Sequence, residues 1–276
     1  MVCFLITCHF LEVGAVTEHP KSVFRSKNGL ELYYISEKYV ADRLQSYCTE
    51  EERVVFSQNM DVKPGIVEGG LTLWNGSIDL IGYLELSEKL DFRSKRVLEV
   101  GCGCGLPGIF ALKSGAMHVM FQDYNDFVLK AWTIPNVLCN VLSLEKQSTT
   151  NFVFHKDVPK SSASFISGDW LHLSREDPTD TYDVILSTET IYRSSLYYRL
   201  LAYFESKLAR RCSLIDNLPT IYLSCKSIYH TGENSGNLVD FLSAVDQRSN
   251  FTYVVIPIST IGVMKYIVKL TWKSKQ

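Results

Sequence analysis

Arg96-Val97-Leu98-Glu99-Val100-Gly101-Cys102-Gly103-Cys104-Gly105 is the stretch that decides the fold. Val97, Leu98 and Val100 carry the apolar, β-branched character of a strand buried on both faces, as strands of a parallel sheet are. Gly101, Gly103 and Gly105 remove the Cβ atoms that would hold a ligand away from the backbone. A buried strand running into three alternate glycines predicts a sharp turn whose amides face a nucleoside-bearing cofactor.

Two ligand classes compete for that turn. Gly103, Gly105 and Gly108 spell G-x-G-x-x-G, and Asp123 follows about 20 residues on, which is the dinucleotide fingerprint. Pro107 sits inside that fingerprint and lacks the N–H that a pyrophosphate at the helix start would use. Glu99 also points the other way. A carboxylate two residues before the first glycine repels a diphosphate and suits a ligand with an ammonium, such as the methionine end of S-adenosylmethionine. The methyl donor is the favoured reading and a dinucleotide the alternative.

Working outward, Gly76 to Leu90 reads as an amphipathic helix, with Ile78, Ile81, Leu84 and Leu86 on or near one face and Asn75 as its cap. Pro107 to Ser114 is the next helix, with Pro in its first turn and Gly115 past its end. His118 to Gln122 is the second strand, and Asp123 directly after it can accept both hydroxyls of a ribose. A third strand, Ser164 to Ser167, ends in Gly168-Asp169-Trp170. There a carboxylate can take the exocyclic amine of adenine while the indole covers the nucleoside. Capping of a helix from Trp170 to Ser174 competes for Asp169, and core burial competes for Trp170.

The fourth strand, Tyr182 to Ser187, runs into Thr188-Glu189-Thr190-Ile191-Tyr192. Ligands gather beyond the carboxyl ends of parallel strands, so these polar residues are placed to meet a substrate. Ser194 to Leu208 is a helix and Thr220 to Ser224 a fifth strand. Phe251 to Pro257 and Gly262 to Trp272 form an antiparallel pair about a turn at Ser259 to Gly262. A late hairpin added to a parallel sheet favours a methyltransferase architecture over a dinucleotide domain.

The 276 residues, 46% hydrophobic and 21% charged, are enough for one substantial core. A net charge of -2, with 28 Lys and Arg scattered among 30 Asp and Glu, gives no basic surface and argues against nucleic acid as partner. Eight cysteines at irregular spacings include no C-x-x-C pair, so neither a metal site nor a disulfide framework is expected. Reduced thiols fit a cytoplasmic or nuclear protein. Cys102 and Cys104 lie where small side chains are needed, with a redox switch the minor alternative. His9 and Glu12 interrupt the apolar N-terminus, so a packing strand or short helix is expected there and no membrane anchor. Residues 17 to 60 show no clear period apart from a helix at Ser36 to Gln45.

Several stretches together resemble the histidine protein methyltransferases, within the seven-β-strand methyltransferases. They are Val67-Glu68-Gly69-Gly70-Leu71-Thr72-Leu73-Trp74, the glycine turn, Phe121-Gln122-Asp123-Tyr124-Asn125, Thr133-Ile134-Pro135-Asn136, Gly168-Asp169-Trp170 and Ser187-Thr188-Glu189-Thr190-Ile191-Tyr192. The resemblance runs from about Asp61 to Trp272. It implies a Rossmann-like, seven-stranded class I methyltransferase sheet of the α/β class, mostly parallel with a C-terminal antiparallel hairpin. Residues 61 to 276 would form that domain and 1 to 60 an extension of unknown role. It also implies methyl transfer from S-adenosylmethionine to a histidine ring nitrogen of a large-subunit ribosomal protein, L-three; a monomer is expected.

Carried over by position, Leu73, Trp74, Asn75, Gly76, Ser77, Gly101, Gln122, Asp123, Tyr124, Gly168, Asp169, Trp170 and Thr188 would line the cofactor site, joined by Glu99 and Gly103 of the turn. Trp74 has a rationale of its own, since an aromatic face stabilises a nearby sulfonium; plain packing is the alternative. Glu189 and Tyr192 would be catalytic, Glu189 accepting a hydrogen bond from the acceptor ring and Tyr192 positioning it. The same acidic-x-x-aromatic pattern occurs in related lysine methyltransferases, so lysine remains an alternative acceptor. A non-catalytic cofactor-binding module is a third reading. The chain departs from the family after the fifth strand, where a glycine-rich turn is replaced by Lys226-Ser227-Ile228-Tyr229-His230-Thr231-Gly232-Glu233-Asn234-Ser235-Gly236.

Overall fold

The computed structural model describes residues 4–5, 21–44, 46–58, 60–143, 153–154, 162–176, 180–210, 218–231, 234–259 and 262–274. Seven strands form the central sheet: β1 (Arg96–Val100), β2 (His118–Asp123), β3 (Ser162–Ser167), β4 (Val184–Thr188), β5 (Thr220–Lys226), β6 (Phe251–Ser259) and β7 (Lys265–Trp272). Their order is β3-β2-β1-β4-β5-β7-β6, and a two-residue strand, Phe4–Leu5, adds antiparallel to the free edge of β3. The first five strands are mutually parallel, while β7 runs antiparallel to both β5 and β6. This is the expected sheet with its late hairpin. Of the N-terminal expectation, Phe4–Leu5 is a strand; residues 6–20 and part of the 259–262 turn lie outside the described residues.

Strand periodicity divides the core in two. Val97, Val119, Phe121, Val184 and Leu186 point to one face, beneath α3 (Asn75–Tyr83), α4 (Leu106–Lys113) and α5 (Ile134–Val141). Leu98, Val100, Ile185, Leu223 and Val268 point to the other, beneath α7 (Tyr197–Lys207) and α8 (Leu238–Arg248). The remaining α-helices among the described residues are α1 (Glu37–Leu44), α2 (Glu50–Ser57), the short α6 (Trp170–Leu173) and a single turn at Asp126–Val128. Among the described residues no helix is long and apolar enough to cross a membrane.

Local details differ from the sequence reading for physical reasons. Trp74, not Asn75, is the N-cap of α3, and no side chain caps it. The expected single helix to Leu90 becomes α3 followed by a π-helical segment, Leu84–Glu88. That wider turn rotates Leu86 out to 40% exposure, while Leu80, Ile81 and Leu84 stay buried. A second π segment, Leu129–Thr133, precedes α5. The helix expected from Ser194 begins as a 3-10 turn, Ser194–Leu196, before α7.

Residues 21–58 are built into the first core rather than appended to it. The hairpin Lys21–Arg25/Glu31–Ile35 buries Leu32 and Ile35, and α1 and α2 bury Val40, Leu44 and Val55. Helix α2 was missed in the sequence although Thr49 and Glu52 spell a capping box, and both of its reciprocal bonds form. Asn136 and Asn140 fasten the hairpin to α5. Asn140 accepts from the Tyr33 amide and donates to the Tyr33 carbonyl, while Asn136 accepts from the Ile35 amide and donates to the carbonyl of Cys104 in the glycine turn.

Candidate active site

The carboxyl ends of β1 to β5 open into a cavity of about 330 Å³. Its floor is the glycine turn. Gly101 has φ +63°, and a Cβ there would stand 2.8 Å from the Thr190 methyl, so this backbone both needs and exploits the missing side chain. Asp123, at the end of β2, accepts the Gly103 amide at 2.9 Å. Its carboxyl lies almost wholly buried at the pocket wall, and burial pushes its pKa up to about 6 against the pull of the backbone amides.

The predicted residues separate into those that line the cavity and those that shape it. Trp74, Ser77, Gly101, Gly103, Asp123, Tyr124, Asp169, Trp170, Thr188, Glu189 and Tyr192 line it. Leu73, Asn75, Gly76, Glu99, Gln122 and Gly168 do not. Glu99 is corrected most sharply: its carboxyl lies beneath the turn, not in the cavity, because β1 carries it toward α4. There one oxygen accepts the Gly108 amide at 2.8 Å and the other is buried without a partner. Burial holds its pKa well above the usual carboxylate range. Glu99 therefore braces the start of α4 and is not placed to touch a bound ammonium.

Gln122 is likewise a brace. Its carbonyl accepts the Gly101 amide and the Trp170 indole N–H, while its amide donates to the Gly168 carbonyl, joining the turns after β1 and β3. Asp169 does cap α6, accepting from the amides of Leu171 and His172, with its second oxygen paired to Arg199. Leu73 donates its amide to Glu37, and Gly76 lies flat against Glu189, where a Cβ would come within 2.8 Å of the carboxylate. Cys102 and Cys104 are buried; burial drives the first thiol well up and the second to about 12, which keeps both out of thiolate chemistry.

Glu189 stands out. It directly follows β4 with φ +58°, a left-handed conformation that costs a non-glycine residue free energy and is concentrated at functional sites. One carboxylate oxygen accepts the Tyr229 hydroxyl at 2.6 Å, and Lys226 Nζ stands 3.9 Å away. Burial raises its pKa, while Tyr229, Lys226 and Lys265 hold it down. Tyr192 lines the cavity, but its hydroxyl is committed to Glu68.

Glu68 is a residue the sequence reading quoted without a role. It takes both Arg193 contacts, at 2.7 and 2.8 Å, together with the Tyr192 hydroxyl and the Gly65 amide. It thereby fastens the turn at residues 62–70, which lines the cavity, to the segment after β4. Tyr229 and Lys226 were also missed. Their approach to Glu189 spans 40 and 37 positions, and no local pattern signals such a contact.

Residues 57–235 match a protein-family model described as lysine methyltransferase. The chain belongs to that family. It is similar to the histidine protein methyltransferase 1 homolog of Bos taurus, 34% identical over 230 residues, 79% of this chain and 59% of that protein. The corresponding protein of Dictyostelium discoideum is 36% identical over 169 residues, 61% of this chain and 47% of that protein. The chain thus spans 59% and 47% of the length of these two curated relatives. Among solved structures, SMU.776, assigned as a methyltransferase and complexed with SAH, shares the fold with a TM-score of 0.54 at 11% identity, covering 91% of this chain and 56% of that chain.

The family match reaches from the end of α2 through the loop after β5, so it includes every element that contributes to the cavity. It leaves out the hairpin at 21–35 and the β6–β7 pair.

Proposed function

We propose that the cavity binds S-adenosylmethionine and that the chain transfers its methyl group to a histidine ring nitrogen of a protein, the large-subunit ribosomal protein L-three being the acceptor. The observation that carries this reading is Glu189, a strained and largely buried carboxylate just past the carboxyl end of β4, facing the same cavity as the glycine turn and Asp123. The residues fit the donor: the turn offers backbone where a Cβ would obstruct, and Asp123 offers a carboxylate for a ribose diol. Asp169 and Trp170 would border the adenine. When bound, S-adenosylmethionine supplies an electrophilic methyl group.

The chain's own residues would then orient the acceptor. An imidazole with a pKa of about 6.5 is already largely neutral near pH 7, so no strong base is needed before it acts as a nucleophile. Glu189 accepts a hydrogen bond from the second ring nitrogen and so fixes the tautomer, while the Tyr192 ring limits where the imidazole lies. Orientation of this kind is worth about 7 to 11 kcal/mol in favourable cases.

Lysine is the second reading, favoured by the description of the matching family and by the Glu189-x-x-Tyr192 pattern. A lysine with a pKa of about 10.4 must first lose a proton. The two are separated by incubating the protein with labelled S-adenosylmethionine and large-subunit ribosomal proteins, then locating the label by mass spectrometry. A methyl on histidine of L-three supports the proposal; a methyl on lysine overturns the acceptor, and absence of transfer with intact donor binding favours a non-catalytic module.

A further inference from the structure

The segment after the fifth strand begins at Lys226, the last residue of β5. It delivers a cation to the acceptor end of the cavity. Lys226 Nζ stands 5.1 Å from the centre of the Trp74 ring, 5.6 Å from that of Tyr229 and 3.9 Å from a Glu189 oxygen. Two aromatic faces and a carboxylate make a nook suited to an organic ammonium. Here the occupant is the chain's own side chain, about one-quarter exposed (27%). At 3.9 Å the contact is longer than a hydrogen bond, so the ammonium is held by charge and ring faces rather than by a directional bond. The Tyr229 hydroxyl is committed, donating to Glu189 at 2.6 Å and accepting the Lys226 amide at 3.2 Å.

We propose that Lys226 is a specificity-determining residue: its ammonium fills the cation nook between Trp74, Tyr229 and Glu189, so that the acceptor site takes a neutral imidazole and rejects an alkylammonium. The inference rests on the methyl-transfer reading for its biological meaning. Its physical basis is local. A second ammonium entering the nook meets a like charge in a partly desolvated site and finds the Glu189 carboxylate already compensated. A neutral ring meets no such repulsion and can donate an N–H to Glu189.

The experiment is a calorimetric titration of the whole chain with two probes, 4-methylimidazole and n-butylammonium, at about pH 8.5, where the first is mostly neutral and the second charged. It is run on the wild type, Lys226→Met and Lys226→Arg, each with and without S-adenosylhomocysteine, after thermal melts establish that the variants fold. The wild type and Lys226→Arg bind the imidazole at least about tenfold more tightly than the ammonium, and Lys226→Met lowers that ratio by about tenfold or more. An unchanged ratio in Lys226→Met overturns the proposal, as does a wild type that binds neither probe. Failure of S-adenosylhomocysteine to bind would sink the methyl-transfer reading instead. The probe ratio measured without it would still decide what Lys226 does.

Discussion

Glu189 and Asp123 are buried carboxylates whose positions lower stability in return for a prepared site. Replacing Glu189 by Gln or Ala is expected to cut turnover by about a hundredfold or more while donor affinity stays near normal, measured by steady-state kinetics beside calorimetry with S-adenosylhomocysteine. Lost donor affinity would place Glu189 on the wrong side of the cavity. Asp123 gives a pH signature. Its folded pKa, raised from 3.8 to about 6 by burial, exceeds that of the unfolded chain. Between about pH 4 and 6 the folded state therefore holds a proton that the unfolded state has released, and stability falls as pH rises through that window. The shift corresponds to about 3 kcal/mol. Asp123→Asn is expected to flatten this fall in urea melts at pH 4.5 and 7 and to weaken donor binding; Glu99 and Glu189, also raised by burial, leave a remainder of the same sign.

At the scale of elements, the loop after β5 is stitched to the segment after β4. Gly236 donates its amide to the Tyr192 carbonyl and accepts the Tyr229 amide, and a Cβ on it would stand 1.9 Å from the Ile191 carbonyl oxygen. Gly236→Ala must therefore part the two segments that carry Tyr192 and Tyr229. A loss of at least about 1–3 kcal/mol is expected, read as a lower melting temperature, together with a fall in turnover larger than the stability change alone explains. The sequence announced the elements that depend on local chemistry. Val97 to Val100 read as a buried strand because every one of its residues is buried, and Gly115 read as a helix stop because it lies at φ +98° just past α4. It did not announce the π segment at Leu84–Glu88, since an i→i+5 turn leaves almost the same apolar spacing as an α-helix over so short a run. Nor did it reveal that Glu99 faces α4 while Asp123 faces the cavity. Both are acidic residues at strand ends, and only the sheet's pleat and the neighbouring helix separate their roles.

For the molecule as a whole, described residues before position 60 share a core with those after it. Leu32, Ile35, Val40, Leu44 and Val55 are buried in the core that also holds Val97 and Phe121, at about 1.5–3 kcal/mol for each side chain. That sum is comparable with the entire stability of an ordinary domain, about 5–15 kcal/mol. Asn136 adds a direct link from the hairpin to the glycine turn through Ile35 and Cys104. A chain truncated to 61–276 is expected to show no cooperative unfolding transition by circular dichroism. A truncated chain that melts cooperatively would return residues 1–60 to the status of an appendage. The contacts that integrate this region pair residues about a hundred positions apart, which is why the sequence around them read as aperiodic.

In the proposed complex one cavity, floored by Gly101–Gly103 and ending at Glu189, holds the methyl donor and presents it to the acceptor. A crystal structure of the whole chain with S-adenosylhomocysteine decides whether this arrangement exists. The expected complex has ribose hydroxyls on the Asp123 carboxylate, adenine beside Asp169 and Trp170, and the sulfur directed toward Glu189, with Glu99 untouched beneath the turn. A ligand bound elsewhere, or one whose sulfur faces away from Glu189, would contradict it.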